Sequence, residues 1–542
     1  MAVIGRITAE IEAVDGVVLL DVDPGKATNR TVVTFVGTPD EVVEAAFRAV
    51  KKASELIDMG RHRGEHPRMG ATDVCPLIPV ANITMEEVVE VARRLGRRIG
   101  DELGIPVYCY EQAAFAPERK NLAHCRSGEY EGLANKLQDP GWMPDFGPAL
   151  FNPRSGATAV GARDFLVAFN INLNTTSTRR ANAIAFDVRE RGRVKRQGDP
   201  LTGKIIKDEK GDPVYIPGTL KEVKAIGWFI EEYGFAQISM NLTNIGVTPI
   251  HVAFDEVCSK AAERGIRVTG SELVGMVPLK AMLEAGKYFL GRQQRSRGVS
   301  EEELIRIAVR SMGLDELKPF HPTEKIIEYR IAEAGEKRLV SMTAGAFANE
   351  TASESPAPGG GSVSAYVGAL GVSLATMVAN LSSHKRGWDD RWEFFSKWAE
   401  KGQALKKELL FLVDEDTRSF NRIIDAFGMP KGSDEERKLR HEAIQAATRY
   451  AIEVPFKVMQ AAWMSMEIIE AMVEKGNPSS VTDAAVGALC ARTAVSGAFL
   501  NVRINVKDLE DKAFVDKMLN EGARIEADAQ RKEREILQML KI

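Results

Sequence analysis

Hydrophobic patterning changes character once along this chain, across residues 332–340 (AEAGEKRLV), and that change limits the available folds more than any other feature. Upstream, β-branched runs alternate with helical-period segments; downstream, no strand pattern recurs and apolar residues repeat at helical spacing almost to the C-terminus. The expected architecture is therefore an α/β part, a short polar linker and an all-α part. At 542 residues the chain is several times longer than the roughly 150 residues of a common domain, so several cores are expected.

The α/β part has an internal order. The runs Val17–Asp23 and Thr31–Val36 read as strands joined by the turn-rich PGKATNR. Thr38-Pro39-Asp40-Glu41 starts a helix with a capping box and Pro in its first turn, and Thr84 with Glu87 repeats the signature before a second helix. Val74–Val80 and Pro106–Tyr110 are further strands. A second unit then reads strand (Phe165–Leu173), helix (Thr178–Glu190), strands (Ala225–Ile230, Phe235–Leu242), helix (Ile250–Arg264) and strand (Ile266–Thr269), the ferredoxin-like βαββαβ order. Laid over it, the first unit lacks the opening strand. Between the first helix and the second strand of the second unit, Arg191–Lys221 reads as a surface hairpin turning at Asp-Glu-Lys-Gly; its Gly198–Lys204 match to a phosphate loop fails, because Ile205 stands where Ser or Thr would hold magnesium. Helix breaks in the all-α part are expected at Pro430, Gly476-Asn477-Pro478 and Asn505.

Charge and cysteine usage narrow the function classes. With 72 Lys and Arg against 76 Asp and Glu, no global basic field exists for nucleic acid. The 5 cysteines form no CxxC pair, which fits a reducing, cytoplasmic setting and neither a disulfide framework nor a zinc cluster. The N-terminus lacks a signal-peptide pattern. Gly359–Ser383 is uncharged and long enough to span a bilayer, but its many Ser, Gly and Ala residues predict a tightly packed buried helix, and no membrane partner is expected.

Several constellations stand out. Arg61-His62-Arg63-Gly64-Glu65-His66-Pro67-Arg68 lies between a helix and a strand; Pro67 extends the backbone at His66, and the arginines offer forked donors suited to a carboxylate, a solvated basic loop being the alternative. Asp23 closes its strand, where it could orient a histidine or cap the turn. On the run Leu409–Phe420, stepping 100° per residue puts Leu409, Val413, Phe420 and Ile424 on one face with Asp416 inside it and Asp414 and Glu415 turned away. A carboxylate on an apolar stripe is costly unless partnered or functional, and burial raises its pKa toward an acid/base range. Pro358-Gly359-Gly360-Gly361-Ser362 opens the uncharged helix with backbone open to a ligand or to close packing. Asp483 with Ser480 reads as a capping box, and Asn501 and Asn505 as helix-end residues.

The stretches LLDVDPGKATNRTVVTFVG, GEHPRMGATDVCPLIPV, DFGPALFNPRSGATAVGARDFLVAFNINLNT, APGGGSVSA and LVDEDTRSF, in this order over nearly the whole chain, resemble the formiminotransferase-cyclodeaminase family of histidine breakdown. The resemblance implies two ferredoxin-like transferase subdomains (1–165, the one without its opening strand, and 166–331), a linker (332–340) and a helical-bundle cyclodeaminase domain (341–542). It implies His66 as transferase base, Asp23 as its partner and Asp416 as the cyclodeaminase residue. Gly147, Pro148, Ala149, Leu150, Phe151, Asn152, Pro153, Arg154, Ser155 and Gly156 would line the folate site. The substrates implied are formiminoglutamate and polyglutamylated tetrahydrofolate, with no metal and no nucleotide, in a ring-like homo-oligomer. Relatives begin with a strand and a Pro-Asn-Phe-Ser-Glu-Gly stretch that this sequence starts after, and their counterpart of Arg191–Lys221 is shorter. Two rival readings follow: a cyclodeaminase whose transferase half is silenced by the missing strand, and a non-catalytic folate-binding scaffold.

Overall fold

The computed structural model describes residues 2–25, 29–63, 67–198, 203–333 and 338–540. The chain divides into two compact units, Met1–Met282 with Met312–Gly335, and Leu283–Ser311 with Glu336–Ile542. The first is α/β and the second largely helical.

The α/β unit begins with helix α1 (Ala2–Glu12), whose Ile11 packs with Val14 and Ala45. Strands β1 (Val18–Gly25) and β2 (Arg30–Val36) pair antiparallel, with a register shift between Leu19 and Asp21. Helix α2 (Pro39–Leu56) starts where the sequence places it: Glu41 reaches back to the Thr38 N–H at 2.8 Å. Strand β3 (Val74–Leu77), helix α3 (Met85–Leu103), capped by Thr84 and Glu87, and strand β4 (Val107–Glu111) follow. The sequence reading missed β5 (Thr158–Ala162), the central strand of a parallel sheet ordered β3-β5-β4. Its residues are small because it is buried on both faces; at Gly161 a Cβ would lie 2.5 Å from the Tyr110 ring. The β1–β2 ribbon forms a sheet of its own.

The second half of this unit follows the expected element order. Strands β6 (Val167–Leu173), β7 (Val223–Ile230), β8 (Phe235–Leu242) and β9 (Val268–Val274) form an antiparallel sheet ordered β7-β8-β6-β9. Helix α4 (Thr178–Val188) follows β6 and helix α5 (Ile250–Ala262) follows β8. Gly227 lets α4 approach β7: Asn182 receives the Gly227 N–H at 3.1 Å and donates to its carbonyl at 2.8 Å. The inserted segment pairs Arg193–Val194 with Tyr215–Ile216 and Arg196–Gln197 with Lys204–Ile205. Its turn falls at Asp208–Gly211, the Asp208 carboxylate accepting the N–H groups of Lys210 and Asp212 at 2.9 Å. The middle of the rejected phosphate-loop match, residues 199–202, lies outside the described residues.

The helical unit is built from α6 (Gly360–Ser383), α7 (Trp392–Gly428), α8 (Asp434–Lys475), α9 (Val481–Asn505) and α10 (Lys512–Gln538), broken at the expected positions. α6 packs against α7, α8 and α9, with Ala365, Val372, Ala375 and Val378 in the core. Three of its buried hydroxyls donate to the carbonyl one turn back: Ser364 to Gly360 at 2.7 Å, Thr376 to Val372 at 2.7 Å and Ser382 to Val378 at 2.6 Å. α6 is long and apolar enough to cross a bilayer by composition, as is Pro478–Asp508, but most of the α6 apolar window is buried among neighbouring helices. Residues 296–298 join this unit through polar contacts, Asn380 and Gln403 both donating to the Gly298 carbonyl, at 2.9 and 3.1 Å. The capping box read at Ser480 and Asp483 does not form; Ser480 makes no side-chain cap bond, and α9 continues from a short 3-10 turn.

Candidate active sites

The buried helix and the acidic run, flagged separately in the sequence, meet in the helical unit. Asp416 on α7 faces the first turn of α6, where its Oδ2 accepts the Ser362 backbone N–H at 2.8 Å and the Ser362 Oγ–H at 2.9 Å. Gly361 makes the approach possible, since a Cβ there would stand 2.1 Å from Asp416 Oδ1. Burial raises the Asp416 pKa, opposed by the two Ser362 donors. The result is a carboxyl with one oxygen anchored by Ser362 and the other beside bare glycine backbone, its proton held more readily than on a free aspartate because of burial.

The angular reading of α7 needs correction around this residue. Glu415, expected to point away, is 4% exposed, while Phe420 and Ile424, expected to face inward, are 43% and 51% exposed. Specific partners draw Glu415 in: the Tyr450 hydroxyl donates to it at 2.5 Å and Arg418 pairs with it at 3.0 Å. Asp414 binds the Leu339 N–H at 2.6 Å, tying the segment before the helical core to α7.

In the α/β unit, two quoted stretches are zipped together through backbone. Ala157 N–H donates to the Met69 carbonyl at 3.0 Å and Ala71 N–H to the Ser155 carbonyl at 2.8 Å. Gly70 and Gly156 cross so closely that a Cβ on either would fall 2.0–2.1 Å from a facing carbonyl, and Gly156 has φ +65°. Within Gly147–Gly156, Gly147 (φ +79°) passes over Gly100 of α3, Asn152 caps the Arg154 and Ser155 N–H groups, and Leu150 is 71% exposed. Asp23 sits on β1 opposite Val32, exposed to solvent. His66 lies outside the described residues. The chain just before it is held to the ribbon carrying Asp23: His62 Nε2 contacts the Asn29 carbonyl at 2.9 Å, and Asn29 Nδ2 donates to the Arg63 carbonyl at 2.7 Å.

Of the three arginines read as carboxylate binders, Arg68 is already committed. It is buried, and its two terminal nitrogens fork onto Glu131 at 2.9 and 2.7 Å. Sequence reasoning also missed the buried pair Arg119–Asp145 (2.6 Å) and the half-buried pair Arg126–Asp73 (2.5 Å); no periodicity marks a partner so distant in sequence. Burial pushes the thiols of Cys75 and Cys109 up to about 12, which removes them as nucleophiles. No group of three metal-ligating side chains occurs among the described residues.

Comparison with known proteins bears on both units. Residues 1–163 match the formiminotransferase domain, N-terminal subdomain, residues 168–332 the formiminotransferase domain, and residues 343–524 the formiminotransferase-cyclodeaminase model. The formimidoyltransferase-cyclodeaminase of Mus musculus is 43% identical over 516 residues, covering 95% of this chain and 92% of its own. The chain belongs to the formimidoyltransferase-cyclodeaminase family. A glutamate formimidoyltransferase of Streptococcus pyogenes serotype M1 is 42% identical over 289 residues, covering 53% of this chain and 88% of its own. A methenyltetrahydrofolate cyclohydrolase of Methylorubrum extorquens is 34% identical over 183 residues, covering 34% of this chain and 88% of its own. Both kinds of domain that make up the formimidoyltransferase-cyclodeaminase family are thus present: two formiminotransferase domains with α/β sheets, then a largely helical domain.

Proposed function

We propose that this chain carries out two consecutive reactions on one folate. The α/β unit transfers the formimino group from N-formimino-L-glutamate to N5 of tetrahydrofolate, and the helical unit cyclises and deaminates the 5-formiminotetrahydrofolate to 5,10-methenyltetrahydrofolate and ammonia. Membership of the family supports both activities. The observation that carries the second site is the Asp416 carboxyl anchored by Ser362 over Gly361.

In the first reaction the N5 lone pair attacks the formimino carbon. His66 takes the N5 proton and returns a proton to the glutamate nitrogen as its bond to that carbon breaks, and Asp23 orients the imidazole. The ties between Asn29 and residues 62–63 support this pairing, because they bring the chain leading to His66 to the ribbon end near Asp23. Residues 147–156 form the folate-facing loop, and a polyglutamylated folate is the form that would be kept between sites. In the second reaction N10 attacks the formimino carbon, and Asp416 accepts the N10 proton and hands it to the departing nitrogen.

The β7-β8-β6-β9 order with its two connecting helices supports a ferredoxin-like reading of the second subdomain. The division at 165, 331 and 340 follows the family pattern, and the working setting is a cytoplasmic homo-oligomer. Variants of the two catalytic residues test the assignment: His66→Ala should abolish the transferase reaction and spare the cyclodeaminase, and Asp416→Asn should do the reverse, each loss being about 10²-fold or more. Separate steady-state assays with formiminoglutamate plus tetrahydrofolate, and with 5-formiminotetrahydrofolate, give the answer. A folded variant losing both activities would contradict the two-site assignment.

A further inference from the structure

Helices α6 and α9 cross antiparallel along a seam of small residues. Gly371 meets the Gly487 carbonyl, Gly368 meets the Ala494 methyl and Gly497 meets the Ser364 hydroxyl, each so near that an added Cβ would fall within 3.2 Å of its neighbour. One turn further along α9 the seam reaches an amide. Asn501 Nδ2 lies 3.3 Å, and its Oδ1 3.7 Å, from where a Cβ on Gly360 would stand. On the next residue, Gly361, the same position meets Asp416 Oδ1 at 2.1 Å. The glycine pair opening α6 therefore has an amide against one member and a carboxyl against the other.

The orientation of that amide is fixed by chemistry. Asn501 Nδ2 donates to the Gly497 carbonyl at 2.9 Å, an acceptor that an amide nitrogen satisfies and an amide oxygen does not. Oδ1 is the end left over, and among the described residues no donor reaches it. A neutral acceptor beside a proton-passing carboxyl complements a substrate nitrogen that carries N–H bonds throughout its reaction. The formimino nitrogen is such an atom.

We propose that Asn501 is a further catalytic residue of the cyclodeaminase reaction, its Oδ1 accepting a hydrogen bond from the formimino nitrogen and holding it as it departs; this rests on the reading of Asp416 given above. Starting from the N5–CH=NH2 cation, N10 forms a bond to the carbon and the carbon–nitrogen double bond becomes single. The N10 proton passes by way of Asp416 to that nitrogen. The carbon–nitrogen bond then breaks, its electron pair leaving with NH3, while a ring nitrogen lone pair forms the methenyl double bond. Protons balance without any further reagent, and Asn501 keeps the departing nitrogen on the side where Asp416 can reach it.

The test uses the full chain with Asn501→Ala and Asn501→Ser, assayed on 5-formiminotetrahydrofolate. Transferase activity reports folding, and inhibition by 5,10-methenyltetrahydrofolate, which lacks the nitrogen, reports folate binding. Asn501→Ala should lower cyclodeaminase kcat/KM about 10- to 100-fold with Asn501→Ser partly recovered, and leave transferase and product affinity unchanged. Cyclodeaminase activity within threefold of the parent, or product affinity falling in step with turnover, overturns the proposal. Should the Ala variant lose transferase as well, the Ser variant decides on the same criteria. An Asp416→Asn chain that keeps cyclodeaminase activity breaks the underlying reading; one that loses it beside a normal Asn501→Ala breaks this inference alone.

Discussion

Ser362 directs both its backbone N–H and its hydroxyl at one oxygen of Asp416, so the balance between burial and hydrogen bonding that sets this acid can be altered at a single position. Burial raises the pKa and the two donors lower it. Removing the hydroxyl leaves the ionised form less supported, so Ser362→Ala should move the Asp416 pKa further up. On the proposed assignment, the limb of the cyclodeaminase pH–rate profile that reports Asp416 should then shift to higher pH, the direction being the same whether the group acts as acid or base. A limb that stays in place or moves down would show that Ser362 does not tune this carboxyl. At this scale the helical angle singled out Asp416, which the structure sets against Ser362, although Phe420 and Ile424, two of the four apolar residues that defined the face, are exposed. It was misleading for Glu415, whose burial depends on Tyr450 from another helix and Arg418 one turn on. Periodicity sees one helix at a time.

At the scale of elements, the helical unit depends on how closely α6 approaches its neighbours. A Cβ on Gly371 would stand 2.9 Å from both the Gly487 carbonyl and the Cys490 Cβ, and one on Gly402 2.1 Å from the Thr376 hydroxyl. A branched side chain at the first position must push the helices apart, at about 1–3 kcal/mol or more. Gly371→Val should therefore lower the thermal midpoint of the chain's helical transition by about 3–10 °C. Gly345→Ala, where nothing lies within 4 Å, should leave it unchanged or raise it slightly. Calorimetry on the two variants gives the comparison, and equal midpoints would mean the seam is not tightly packed. Strand and helix assignments of the second α/β subdomain were legible because its strands and helices carry their own apolar periodicity, and Ser177 caps the first helix through the Arg180 N–H. Strand β5 was not, since a strand buried on both faces by small residues has no alternation to read.

For the whole molecule, apolar surface left bare is the clearest guide to assembly. Phe420, Ile424 and Phe427 lie at i, i+4 and i+7 on α7 and are 43%, 51% and 56% exposed, with Leu439 of α8 at 53%. If the chain self-associates through this face, replacing the three α7 residues by Ser should yield a smaller species in sedimentation velocity than the parent; an unchanged sedimentation coefficient would show that this face makes no such contact. The sequence by itself determined the division into α/β and helical parts, most of the element order and the residues worth suspecting, because those follow from local periodicity, capping and turn chemistry. What it could not supply was proximity. That Ser362 meets Asp416 across 54 positions, that Asn501 stands beside Gly360, next to the glycine that Asp416 faces, and that Glu131 already occupies Arg68 were decided by tertiary packing. Hydrogen-bond partners and close backbone approaches between distant segments leave no periodic trace in the chain, since they arise only when separately stable elements are brought together.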